Sequence, residues 1–113
     1  MLRKNVLRRQ KDFSAIYKNG KSFGGKYLVL FCRKNGLKYN RLGYLASKKV
    51  GNSVVRNRAR RLMRESYRQT ESKLQQGYDL IFIARNGIQK VKCNDVCRCM
   101  RSLFKKAGIF KDS

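Results

Sequence analysis

The segment GNSVVRNRARRLMRE, residues 51–65, restricts the fold more than any other stretch of the chain. It sets five arginines between positions 56 and 65 against a single glutamate. Wound as a helix at about 100° per residue, it gathers Val55, Ala59, Leu62, Met63 and Ser66 into one narrow apolar arc. That arc must face a sheet, and Arg56, Asn57, Arg58, Arg60, Arg61, Arg64 and Arg68 take the rest of the circumference. Asn52 or Ser53 is the natural N-cap. A merely solvated helix face interleaves charges of both signs, whereas here only Glu65 is within reach of Arg61 and Arg68. Like charges three or four residues apart work against the helix, so a bound polyanion is the natural compensation. Lys48 and Lys49 extend the basic patch toward the helix N-terminus, whose free N–H groups also favour phosphate.

The rest of the composition points the same way. Twenty-nine Lys and Arg against six acids give 113 residues a formal charge of +23, while 42% apolar residues is ordinary for one folded domain with a modest core. A chain so basic reads first as a nucleic-acid binder and second as a binder of anionic membranes. It holds no run of about eighteen apolar residues that would span a bilayer. The opening MLRKNVLRRQ lacks the apolar core of a secretory signal; it is arginine-rich like a transit peptide but runs straight into a patterned segment. Cysteines stand at 32, 93, 97 and 99, with no histidine anywhere. Their spacing is not the paired Cys-x2-Cys of a tetrahedral zinc site, and a metal would need Cys32 folded back onto the others. Reduced, partly buried thiols in a cytoplasmic protein are the simpler expectation.

Along the chain there is no proline, repeat or linker, so residues 1–113 are expected to form a single domain. In KDFSAIYKNG, Phe13, Ile16 and Tyr17 make one stripe of a short helix, with Asn19-Gly20 as a left-handed stop. KYLVLFCRK is a strand with Tyr27, Val29 and Phe31 on one face and Leu28, Leu30 and Cys32 on the other. Turn residues at Asn35-Gly36 and Asn40 lead into RLGYLAS, a strand whose Leu42, Tyr44 and Ala46 share a face. Gly77 ends the pattern of the basic helix, and YDLIFIAR is a third strand closed by Asn86-Gly87. The last helix carries Val96, Met100, Leu103, Phe104 and Ala107 on one face and ends at Gly108. The order α-β-β-α-β-α around a small central β-sheet gives an α+β class.

The residues SKKVGNSVVRNRARRLMRE, 47–65, resemble the signature of the bacterial-type ribonuclease P protein family, with Arg56-Asn57-Arg58 at the core of its RNR motif. Leu7 and DFSAIYKNG resemble that family's first helix, RLGYLASKK the strand before the motif, and YDLIFIAR the strand after it. The resemblance implies a ribosomal-S5-domain-2-like fold with a left-handed crossover through the RNR helix. From strand physics alone a right-handed one would be expected. It further implies a protein subunit of the endonuclease that hydrolyses one phosphodiester bond to remove the 5′ leader of precursor tRNA. Catalysis would lie with the RNA subunit, which with the substrate would bind the magnesium ions. The protein, one copy to one RNA, would bind that RNA through Lys48, Lys49, Arg56, Asn57, Arg58, Arg60, Arg61, Arg64 and Arg68. The absence of histidine and scarcity of acids agree with a protein that carries no catalytic acid–base pair or metal cage.

Phe13 and Tyr17 lie one helical turn apart, and Tyr27 and Phe31 share a strand face. On periodicity alone the helix pair could equally pack into the core. Four aromatics beside basic residues also suit a single strand held without reading its sequence, and the resembled family places its leader cleft between the first helix and the sheet. On that ground Phe13, Tyr17, Tyr27 and Phe31 are candidate leader contacts. A ribosomal or nucleoid-type RNA or DNA binder fits the charge equally well but needs no such single-strand site.

Overall fold

The computed structural model describes residues 6, 7 and 10–111; most of the opening stretch read for targeting lies outside them. Helix α1 (Gln10–Asn19) is followed by strands β1 (Lys21–Gly24), β2 (Leu28–Lys34) and β3 (Arg41–Leu45). Helix α2 (Ser53–Thr70), strand β4 (Tyr78–Ala84) and helix α3 (Cys93–Ala107) complete the order, with short 3-10 turns at Glu71–Lys73 and Ile88–Lys90. The sheet runs β1-β2-β4-β3, antiparallel except for the parallel pair β3 and β4. Parallel neighbours cannot be joined by a hairpin, and α2 is the crossover between them.

The α+β class stands, with four strands in place of the expected three. The missed strand, β1, contains Phe23 as its sole large apolar residue and two glycines follow directly or end it, so it has no alternating pattern to read. It pairs at the sheet edge, Lys21 opposite Cys32 and Gly24 opposite Val29.

Strand alternation divides the core by sheet face. Leu28, Leu30 and Cys32 of β2, with Leu80, Phe82 and Ala84 of β4, face the layer made by α2 and α3. Ile81, with partly buried Phe31, Leu45 and Ile83, faces α1, which contributes Ile16 and the edge of Phe13. Phe82 is the centre of the larger cluster: Tyr44 stacks on it at 5.5 Å between centroids, and Tyr67 and Phe104 both lie 5.9 Å away.

Two stops differ from the sequence expectation. Gly20 is not left-handed. A Cβ there would lie 2.5 Å from the Ile16 carbonyl oxygen and 2.7 Å from that of Cys32, so glycine is required by close backbone approach rather than by φ. Gly77, at φ 101°, turns the chain into β4, whereas α2 has already ended at Thr70. The apolar arc of α2 also extends further than expected, burying Tyr67 and Thr70 beyond Ala59, Met63 and Ser66. Leu62 is only half-buried on its flank. Leu62→Ala should therefore cost about 1–2 kcal/mol in chemical denaturation, below the 2–5 of a fully enclosed leucine. A larger loss would put Leu62 in the core.

Candidate nucleic-acid interface

Helix α2 begins where the sequence suggested. Asn52 has extended backbone and its Oδ1 accepts from the Val55 N–H at 3.0 Å. No acid occupies the first turn, so the positive end of the helix is left uncompensated. Lys48 and Lys49 are exposed on the turn that precedes it, closed by the Val50 N–H donating to the Ser47 carbonyl at 3.0 Å. With the apolar arc turned to the sheet and α3, Asn57, Arg58, Arg61, Arg64 and Arg68 are exposed, and Arg56 and Arg60 are half-buried.

These groups are not equivalent. Arg68 donates to both carboxylate oxygens of Glu65, the pair having the (i, i+3) spacing of neighbours on a helix. That contact holds the Glu65 carboxyl below its ordinary range. Arg60 donates to Asn57 Oδ1 at 2.8 Å, and the Arg64 guanidinium lies 5.5 Å from the centre of the Tyr44 ring. The Arg56 Nε is buried without a partner. Among the described residues no acid lies within ion-pair reach of Arg58 or Arg61, the two most available cations of the face.

The other face of the sheet carries the aromatics. Tyr17 stands 42% exposed and meets Phe31 edge-on, centroids 5.0 Å apart. Phe13 sits over Gly43, where a Cβ would come within 3.0 Å of its ring, so the glycine of RLGYL makes room for α1 to cross the sheet. A groove of about 250 Å3 opens along the β3 edge, lined by Leu7, Phe13, Leu42, Gly43, Leu45 and Arg64 among others. Phe13, Tyr17 and Phe31 are thus brought together on the α1 side, and Arg64 of α2 reaches the groove at whose wall Phe13 lies.

Tyr27 is not with them. The residues before Leu28 form a turn, so strand alternation does not extend back to position 27, and Tyr27 packs against the larger core on the opposite face, beside α3.

Two polar centres went unread in the sequence. Asp79, fully buried, accepts from Arg41 at 2.7 and 2.8 Å, from Asn35 at 3.0 Å and from Arg33 at 3.4 Å. Burial by itself would raise its carboxyl, but these donors outweigh burial and hold it below the usual range. Asp12 of α1 approaches the same Arg41 at 3.9 Å. Asn40, also buried, donates to Tyr67 Oη and the Gln75 carbonyl, each at 3.2 Å, and accepts from the Tyr78 N–H at 2.9 Å, fastening the start of β3 to α2 and β4. The signal for Asp79 was present: a lone acid in the apolar run YDLIFIA needs a partner. Among the described residues no group of three or more His, Cys, Asp or Glu could hold a metal ion, and the four cysteines are free thiols. Nor, among the described residues, is any helix long and apolar enough to cross a membrane.

A small mixed sheet crossed by an arginine-faced helix, with an aromatic groove at the same edge, defines an α+β protein with one strongly basic face. The family model described as Ribonuclease P matches residues 1–108. The ribonuclease P protein component of Clostridium botulinum (strain Loch Maree / Type A3) is 46% identical over 110 residues, covering 96% of this chain and 99% of that one. The component of Caldanaerobacter subterraneus subsp. tengcongensis is 40% identical over 106 residues, covering 94% and 91%. Among solved structures, the RNase P protein of Staphylococcus aureus superposes with TM-score 0.85 at 29% identity, covering 96% of this chain and 100% of that one. That of Thermotoga maritima superposes with TM-score 0.82 at 33% identity, covering 91% and 97%. The chain belongs to the ribonuclease P protein family, and so to the protein subunits of an endoribonuclease of tRNA processing.

Proposed function

We propose that this chain, acting as one domain in a cytoplasmic complex of one protein with one RNA, binds the ribonuclease P RNA subunit through α2 and the turn before it. Lys48, Lys49, Arg56, Asn57, Arg58, Arg60, Arg61, Arg64 and Arg68 make that contact. The observation that carries the reading is the face of α2 itself: cations that repel one another, an N-terminus with no acid, and, of six arginines, Arg68 alone paired with an acid among the described residues. Phosphates of a folded RNA offset that repulsion, and guanidinium forks hold them in two-point geometry. Six to eight phosphate contacts on this face contribute about −4 to −7 to the slope of log affinity against log salt. A total slope near −1 in a binding titration would leave the face solvated and remove the main support for this reading.

In the same proposal the 5′ leader of precursor tRNA lies along the α1 side of the sheet, against Phe13, Tyr17 and Phe31. Arg64 at the groove edge would take a phosphate where the leader passes from one surface to the other. Tyr27 has no part in it. Among the described residues no group of three or more His, Cys, Asp or Glu could hold a metal ion, and Asp12 and Asp79 both lie on Arg41. Magnesium would be bound by the RNA subunit and the substrate, and the protein's part would be to hold substrate in place for the RNA to cleave.

Tyr17 is the cleanest probe because it is exposed and Ile16 alone anchors that turn of α1 in the core. Stacking on one base is worth about 1–3 kcal/mol. Tyr17→Ala should therefore weaken binding of leader-bearing precursor roughly 5- to 150-fold and leave mature tRNA nearly unaffected. An unchanged precursor-to-mature ratio would return the ring to a packing role.

A further inference from the structure

Only eight of the chain's 29 Lys and Arg lie on α2 and the turn before it. A second concentration lies on the other helix of that layer. The solvent side of α3 carries Arg98, Arg101, Lys105 and Lys106, all exposed, against one acid, Asp95. Arg98, Ser102 and Lys106 recur every four residues along one stripe and form one wall of a groove of about 480 Å3. Lys26 and Tyr27, in the turn between β1 and β2, form the other. Asp95 lines it too, but its carboxylate accepts from the Lys92 N–H at 3.2 Å at the helix's own start.

The groove is built rather than incidental. Gly25 lies so close to α3 that a Cβ would come within 2.7 Å of Cys99 Sγ, which fixes the distance between the two walls. The turn is pinned three times: Gly25 N–H to the Leu28 carbonyl at 2.9 Å, Arg85 N–H to the Tyr27 carbonyl at 2.9 Å, and Arg85 Nη1 to the Gly25 carbonyl at 3.0 Å. Lys26 Nζ lies 5.5 Å from the centre of the Tyr27 ring, so lysine and tyrosine are arranged as a unit.

Its place in the fold separates it from α2. Helix α3 packs on β1 and β2, α2 on β3 and β4, and in the order β1-β2-β4-β3 these are opposite halves of the sheet. The groove and the arginine face of α2 therefore lie over different strands, although the two helices pack against each other. Lys26, Arg98 and Lys106, set against the one acid Asp95, suit a polyanionic occupant. It is a strand rather than a bilayer, because the site is concave. Moreover, the large apolar side chains exposed among the described residues, Tyr17, Leu37 and Val54, all lie elsewhere.

The geometry points to this groove as a second RNA site, taking the phosphodiester backbone of a segment distinct from the one on α2. Lys26, Arg98 and Lys106 are its phosphate ligands. The inference rests on the proposed RNA-bound complex and is tested in it, with full-length protein, the ribonuclease P RNA subunit and precursor tRNA. Photo-crosslinking from p-benzoylphenylalanine at Ser102, compared with the same probe at exposed Val54 on the first turn of α2, should label different RNA segments. No RNA label from position 102 overturns the inference whatever position 54 does; loss of label at 54 counts separately against the α2 reading. In salt titrations, Arg98→Ala with Lys106→Ala should flatten the slope by about 2, one for each phosphate left without its cation. Lys34→Ala with Lys38→Ala, exposed cations remote from both grooves, should change it by much less. Equal effects of the two pairs, or none from Arg98 and Lys106, would reduce the groove to diffuse surface charge.

Discussion

Replacing Arg58 and Arg61 together with alanine lowers affinity for the RNA subunit about a hundredfold at fixed salt, at about 1.5 kcal/mol for each charge-assisted contact. The melting temperature stays level or rises slightly. Both effects follow from what these two side chains touch. They are exposed, and among the described residues no acid lies within ion-pair reach of either. Removing them relieves like-charge repulsion along α2 and breaks no ion pair. Their neighbours are poorer probes. Arg60 is tied to Asn57, Arg64 lies over Tyr44, and Arg56 is half-buried, so truncating any of these mixes binding with packing. Arg68→Ala should weaken RNA binding less than either, because Glu65 already neutralises part of its charge. Filter binding and thermal unfolding on the same preparations decide the matter. Unchanged affinity, or a double variant that unfolds, would mean that this face does not meet the RNA subunit.

How much of this could be read beforehand depended on whether the signal was local. The core of α2 is a periodic property of its own residues, and so is its exposed face. Asn52 as its cap, Gly108 as the stop of α3, the two faces of β2 from Leu28 on and the existence of β4 as a strand are local in the same sense, and all were legible. Strand β1 was not, because an edge strand of four residues with one large apolar side chain has no pattern to find. Tyr27 was misplaced because period-two alternation was carried one residue past the start of the strand, across a turn set by the close approach of Gly25 to α3. The meeting of Arg64 with the aromatic groove depends on β3 being an edge strand beside its crossover helix. That is a matter of strand order, which no window of sequence contains.

Asp79 supplies the other large effect. Truncating Arg41 to alanine removes the closest donors to a carboxylate with no solvent exposure, leaving Asn35 and the more distant Arg33. Breaking one side of a buried ion pair costs about 3–5 kcal/mol, and the remaining donors place Arg41→Ala near 3. The pH dependence identifies the cause. In the native chain the Asp79 carboxyl is held below its ordinary value, so its stabilising contribution is present above the unfolded pKa of about 3.9 and is lost as pH falls through the folded one. In Arg41→Ala the strongest of the donors that lower it is gone and the folded pKa moves up from the native one, so the difference between the two proteins narrows as pH falls through the variant's folded value. The stability gap between the two proteins should therefore be widest near pH 7 and shrink steadily below about pH 4. Paired denaturation curves at intervals from pH 7 to pH 3 measure it. A gap that stays constant over that range would mean the packing of the arginine stem, and not the buried charge, is what Arg41 contributes.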